Sequence, residues 1–253
     1  ASDTADGNGA AYLTWDQLKK LKKTLNVTFG ILPAAYAHMT DNTEAVNTTQ
    51  INKAIGLYRD HFGEDPSFFA YPYGEYSKKL KESLKKYEFK GVFGQHSGVI
   101  DQGSDTMALP RFTMTDDFGD LDRFRLTARA KPLHVSDITP DDMLVMQNPP
   151  VIGFTVDPSA GSLSRLSCFA SGIGKVPLTR LADNRIEIRL IQPLTDRRTR
   201  INCTLPESGT ETGVTTSDLQ IWRWFGMILI TPGAEDDDIS QPAPSDTTTG
   251  TQE

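Results

Sequence analysis

The stretch Phe68-Phe69-Ala70-Tyr71-Pro72-Tyr73-Gly74-Glu75-Tyr76 constrains the fold more than any other part of the sequence. Aromatic residues and an alanine lead into a turn, which suits a strand covered on both faces. Pro72 fixes its own φ and drives Tyr71 into extended geometry, while Gly74 permits a φ that other residues resist. Ser77 then caps a helix whose apolar positions, Leu80, Leu84 and Tyr87, follow i, i+4, i+7 spacing. Strand, sharp turn and helix together make a parallel βα unit. In such sheets function gathers at the C-terminal ends of the strands, where Tyr71 to Tyr76 lie.

The same alternation runs on both sides of this stretch. Thr14 and Gln17 have capping-box spacing ahead of a helix with the stripe Trp15, Leu18, Leu21 and Leu25. Val27 to Gly30 reads as a short strand. Thr48 opens a helix carrying Ile51, Ala54, Ile55, Tyr58 and Phe62. Strands are expected at Phe68–Tyr71, Gly91–Phe93 and Leu109–Phe112, and a last helix after Asp117. This is a parallel α/β pattern of about four strands, and a closed barrel needs about twice as many. Pro132 to Pro150 reads as a linker. From Val151 the period becomes two, as in Ile152/Phe154/Val156 and Ile186/Ile188/Leu190, which predicts a small antiparallel β-sandwich, Ig-like in layout. Leu163–Phe169, Thr199–Leu205 and Gln220–Ile230 are its further strands. The expected organisation is a disordered start at 1–11, an α/β domain at 12–131, a linker at 132–150, a sandwich at 151–231 and an acidic disordered tail at 232–253.

Charge narrows the partners. A net charge of −7 disfavours nucleic acid and anionic membranes, since neither would bind through counterion release. No apolar run approaches the ~20 residues that span a bilayer. Ala1 to Ala10 carry no basic-then-apolar leader pattern, which fits a processed or truncated product as well as a cytosolic one. Cys168 and Cys203 both fall among the predicted sandwich strands. A disulfide is expected if the protein is exported, and two buried thiols otherwise.

Three motifs in order, FAYPYGEYS, GVFGQHSGV and LPRF, resemble the C-terminal half of a polysaccharide deacetylase catalytic domain (carbohydrate esterase family 4, NodB homology). The bacterial subgroup that adds a β-sandwich is the most similar, and the resemblance extends over Tyr12 to Phe225. It implies a distorted (β/α) barrel, here partial and lacking its first half. It also implies hydrolysis of N-acetyl groups on a polysaccharide, aided by a divalent metal, usually zinc. Such chemistry needs a general base, a metal-polarised carbonyl and water, an oxyanion donor and a general acid. The family's base lies in a TFDD-like motif. Neither Asp116-Asp117 nor Asp236-Asp237-Asp238 has that context. The family's two ligand histidines fall on Leu32 and Tyr36, leaving only the trailing His38, so no bound metal or other cofactor is expected.

The resemblance gives Tyr73 the oxyanion role through its backbone N–H. His96, placed on the same rim, is the expected general acid or a polar contact to a substrate hydroxyl. Tyr71, Pro72, Tyr76 and Arg111 are the expected substrate contacts, the tyrosines serving as an aromatic platform for a sugar ring or simply as packing. Trp222 and Trp224 share a strand face and read as core before sugar platform. The sequence therefore implies a deacetylase-like protein of the periplasm or extracellular space that binds a polysaccharide or oligosaccharide without catalysis. An active enzyme completed by a missing half, and a structural or interaction module, remain as alternatives.

Overall fold

The computed structural model describes residues 13–24, 26–207 and 220–234. The expected disordered start at 1–11, and all of the expected tail at 232–253 beyond residue 234, lie outside the described residues. Helix α1 (Trp15–Thr24) opens with the expected reciprocal cap. Thr14 N–H donates to Gln17 Oε1 at 2.8 Å, and Gln17 N–H donates to Thr14 Oγ1 at 3.3 Å. Helix α2 (Glu44–Phe62) starts earlier than Thr48, because Thr43 caps it and the buried Asn47 amide ties its first turn to the Met39 carbonyl at 2.8 Å. Trp15 stacks on His61 of α2 at 3.9 Å.

Strand β1 (Phe68–Ala70) runs through a 3₁₀ turn at Pro72–Gly74 into α3 (Lys78–Leu84), capped by Ser77 as expected, and then into β2 (Gly91–Phe93), parallel to β1. Ile31 and Leu109 add one parallel bridge each, to Phe69 and Phe93. The stretches around them do not extend into ladders. Pro33 and Pro110 lie just beyond the bridges, and proline has no N–H to give to a ladder. Helix α4 (Leu121–Arg129) is capped by Asp120, whose Oδ1 accepts from two backbone N–H groups.

Among the described residues, nine strands follow: β3 (Lys131–Pro132), β4 (Val135–Thr139), β5 (Ile152–Val156), β6 (Ser167–Ala170), β7 (Gly174–Val176), β8 (Leu178–Arg180), β9 (Arg185–Ile188), β10 (Arg198–Pro206) and β11 (Trp222–Ile230). They form one sheet in the order β3-β11-β10-β6-β7 and another in the order β4-β5-β9-β8. β3 lies parallel to β11 and the other pairs are antiparallel, so the fold mixes helices with both kinds of sheet and is not built on parallel strands alone. The stretch 132–150, read as a linker, supplies half of β3 and all of β4. Both are edge strands, where proline and turn-rich sequence are tolerated.

Ile152, Phe154, Ile186 and Ile188 of one sheet share a core with Ile201, Leu205, Met227 and Leu229 of the other. Each such side chain contributes roughly 1.5–3 kcal/mol on burial. Cys168 and Cys203 sit opposite one another in the β6–β10 register, fully buried, and are disulfide-bonded. β10 alternates: Ile201, Cys203 and Leu205 turn into this core, and the more exposed Arg198 and Arg200 turn the other way. β11 is covered on both faces. Its Ile228 enters the second core, with Phe69, Tyr71, Leu80, Leu84 and Val92. A Cβ at Gly226 would meet the Ser97 carbonyl oxygen at 2.0 Å. Trp224 packs edge-on against Phe112 and donates Nε1–H to Asn202 Oδ1, but it and Trp222 stay half-buried and enter neither core, against the expected core role. Contact on both faces explains why β11 reads as a nearly continuous apolar run.

Candidate functional site

The turn after β1 is held from both sides. Tyr71 N–H donates to the Phe93 carbonyl, Gly74 N–H to Tyr71 and Glu75 N–H to Pro72, at 2.9–3.1 Å. The geometry forces Tyr73 to φ 56° and Gly74 to φ 72°. A left-handed tyrosine costs about 1–3 kcal/mol, so the surroundings must hold it there. Glycine at 74 is required twice over, since a Cβ there would lie 2.4 Å from that of Gln95.

Tyr73 is enclosed by three side chains. The His38 ring stacks on it at 4.1 Å, Tyr36 leans against it at 4.6 Å, and the Arg198 guanidinium lies over its ring at 5.3 Å. Its backbone N–H, the expected oxyanion donor, donates to the Tyr36 hydroxyl at 3.1 Å.

Beneath this stack Glu75 is completely buried. Arg197, next to β10, grips its carboxylate with both prongs, Nε to Oε1 at 2.9 Å and Nη2 to Oε2 at 3.0 Å. His38 Nδ1 meets Oε2 at 2.9 Å, and Thr40 Oγ1 donates to the same oxygen at 3.3 Å. Arg197 also reaches Asp41 at 3.0 Å. Burial works against the Arg197 charge, but hydrogen bonds to Glu75 and Asp41 outweigh it and hold the guanidinium above its ordinary value. Glu75, Arg197 and Arg198 did not emerge from the sequence. The available signal was a carboxylate inside an apolar turn, which must find a partner, and an arginine-rich entry to a strand.

His96 lies elsewhere. It lines a cavity of about 400 Å³ whose walls include Tyr76, Lys81, Asp105, His134 and Trp224, but not Tyr73. It therefore does not share Tyr73's rim. His96 is buried, its Nδ1 has no hydrogen-bond partner, and burial pushes its pKa down to about 4. A ring neutral down to that pH keeps one N–H but is not an imidazolium near neutrality, so its burial speaks against the general-acid reading.

The expected sugar platform is also corrected. Tyr71 is fully buried and donates its hydroxyl to the Met107 carbonyl at 2.9 Å. Burial pushes that hydroxyl's pKa upward, and a ring with no exposed face stacks on no ligand. Pro72 is buried beneath the turn. Tyr76 is buried as well, packed against Tyr71 and facing the His96 cavity, with its hydroxyl also pushed up by burial. Arg111 braces the His96 loop through Nε–H to the Gly94 carbonyl at 2.8 Å.

The side chains at the positions that the resemblance assigns to the metal ligands do not fit a metal. Leu32 has no donor atom and the Tyr36 hydroxyl is engaged by the Tyr73 N–H, which leaves His38 as the one imidazole of the three positions, too few donors to hold an ion. Among the described residues, no three His, Cys, Asp or Glu side chains converge as a metal-binding group.

Residues 4–92 match the family described as polysaccharide deacetylase. This bears out the resemblance read from FAYPYGEYS. No curated protein matches the chain. Among solved structures, the Streptococcus pyogenes deacetylase PplD in complex with acetate is 19% identical, with 41% of this chain and 46% of that one covered and a TM-score of 0.39. IcaB from Ammonifex degensii is 20% identical, with 46% and 52% covered and a TM-score of 0.39. A polysaccharide deacetylase from Bacillus cereus is 16% identical, with 41% and 33% covered and a TM-score of 0.36. The chain spans about half or less of the length of these proteins.

Proposed function

We propose that this chain, which carries a polysaccharide deacetylase segment at residues 4–92, binds a polysaccharide at the Tyr73 turn without removing its acetyl groups. The observation that carries this reading is the Tyr36 hydroxyl seated on the Tyr73 N–H at 3.1 Å. A side chain at a ligand-histidine position fills the place where the family's chemistry needs an oxygen of the substrate. What remains is a rim of Tyr36, Tyr73, His38 and Arg198, with aromatic faces and polar edges of the kind that hold sugar rings. On this reading the α/β part is a partial, distorted (β/α) barrel, and the two later sheets are a β-sandwich that supports it. The buried disulfide favours an oxidising location, periplasmic or extracellular.

The test is calorimetric titration with a β-linked N-acetylglucosamine pentamer, with and without EDTA, alongside an assay for released acetate. Binding unaffected by EDTA, lost in Tyr73→Ala and unaccompanied by acetate is the expected result. Acetate release, or no binding by a folded protein, overturns it.

A further inference from the structure

Three arginines from one end of β10 cross to the loops of the α/β part. Arg197 holds Glu75, Arg198 Nη1 donates to the Tyr73 carbonyl at 3.3 Å, and Arg200 Nη2 donates to Gln95 Oε1 at 3.3 Å. The site loops are therefore braced by a strand whose other face is the core of the later sheets. The completely buried charge among their partners is Glu75, which Arg197 hydrogen-bonds and which Arg198 Nε approaches to 3.9 Å. Glu75 has no exposure to water, and its carboxylate accepts from Arg197, His38 and Thr40 together.

We propose that Arg197 is a positioning residue for the Tyr73 rim. By fixing Glu75 with a two-pronged grip, it fixes the His38 ring that lies flat on Tyr73, so the site is completed by the later sheets and is not a property of residues 4–92 alone. The chemistry is directional. A carboxylate only accepts, so His38 Nδ1 is the protonated nitrogen in this contact, and the ring's rotation about its stem is set by Glu75. Planar guanidinium fits both oxygens at once, whereas an ammonium at the same place holds one. The ligand at the rim, an N-acetylated oligosaccharide, is taken from the reading above, on which this inference rests. The positioning itself is read out separately.

The experiment follows the His38 imidazole by nitrogen-15 NMR in wild type, Arg197→Lys, Arg197→Met and Glu75→Gln, and titrates each with the N-acetylglucosamine pentamer. Wild type is expected to show a proton on Nδ1 protected from exchange. Arg197→Met and Glu75→Gln lose that protection and bind the pentamer about tenfold more weakly, and Arg197→Lys, which keeps the charge, falls between. Arg197→Lys also keeps the test decisive should the Met variant fail to fold. A folded Arg197→Lys or Arg197→Met protein with unchanged His38 resonances and unchanged affinity overturns the proposal. If wild type itself does not bind the pentamer, the binding role falls, while the His38 signal still decides the positioning role.

Discussion

The two histidines nearest the predicted chemistry sit in opposite kinds of environment. His38 is half-buried, stacked on an aromatic ring and bonded to a carboxylate that is itself gripped by an arginine. His96 is buried against a cavity with its Nδ1 unpartnered. In the first environment the polar groups satisfy one another across parts of the chain far apart in sequence. In the second, a buried ring nitrogen has no protein partner, and burial disfavours the charged form. A histidine at a strand end is thus not informative alone; what decides its role is whether a distant segment brings it a partner.

The difference is broken most strongly at Glu75. Replacing it with Ala leaves the Arg197 guanidinium buried without its main partner, an expected loss of about 3–5 kcal/mol of stability by denaturant unfolding. A loss below about 1 kcal/mol would mean that the pair is not buried as described. Gly74→Ala should cost somewhat less, about 2–4 kcal/mol, from the positive φ together with the clash at Gln95.

His96 is probed by acid. Its folded pKa of about 4 lies below the unfolded value of 6.5, so between those two values the unfolded chain binds the extra proton. The stability in question is present above pH 6.5 and is lost as pH falls towards 4, by about 3 kcal/mol in all. His96→Gln should flatten that part of the stability–pH curve. An unchanged acid limb would show that the ring is not held neutral by burial. Tyr36→Phe, the smallest change, removes one half-exposed hydrogen bond and should cost about 1 kcal/mol or less. Its interest lies in the freed Tyr73 N–H, whose amide exchange should quicken.

What the sequence made legible was local. The Thr14–Gln17 box, the Ser77 cap and the strand–turn–helix around Pro72 are set by residues within a few positions of one another, and each stands where the sequence placed it. The alternation of β10 and β5 was equally readable, because its period is written into consecutive residues. The Glu75–Arg197 pair spans 122 positions, and no local pattern announces it. The burial of Tyr71 was hidden for a related reason. Tyr71, Tyr73 and Tyr76 look alike in the sequence, and only the turn decides that Tyr71 faces Met107 while Tyr73 is turned towards Tyr36 and His38. His96 was misplaced because part of its cavity wall comes from β3 and β11, far along the chain.

The proposal rests on Tyr36 and His38, which hydrogen-bond and stack within the protein beside the Tyr73 turn. A zinc titration of the metal-stripped protein, followed by calorimetry and by the Tyr73 amide resonance, tests it most directly. The account predicts no stoichiometric uptake and no movement of that resonance. Uptake of one zinc per chain with the Tyr73 amide shifting in step would contradict it.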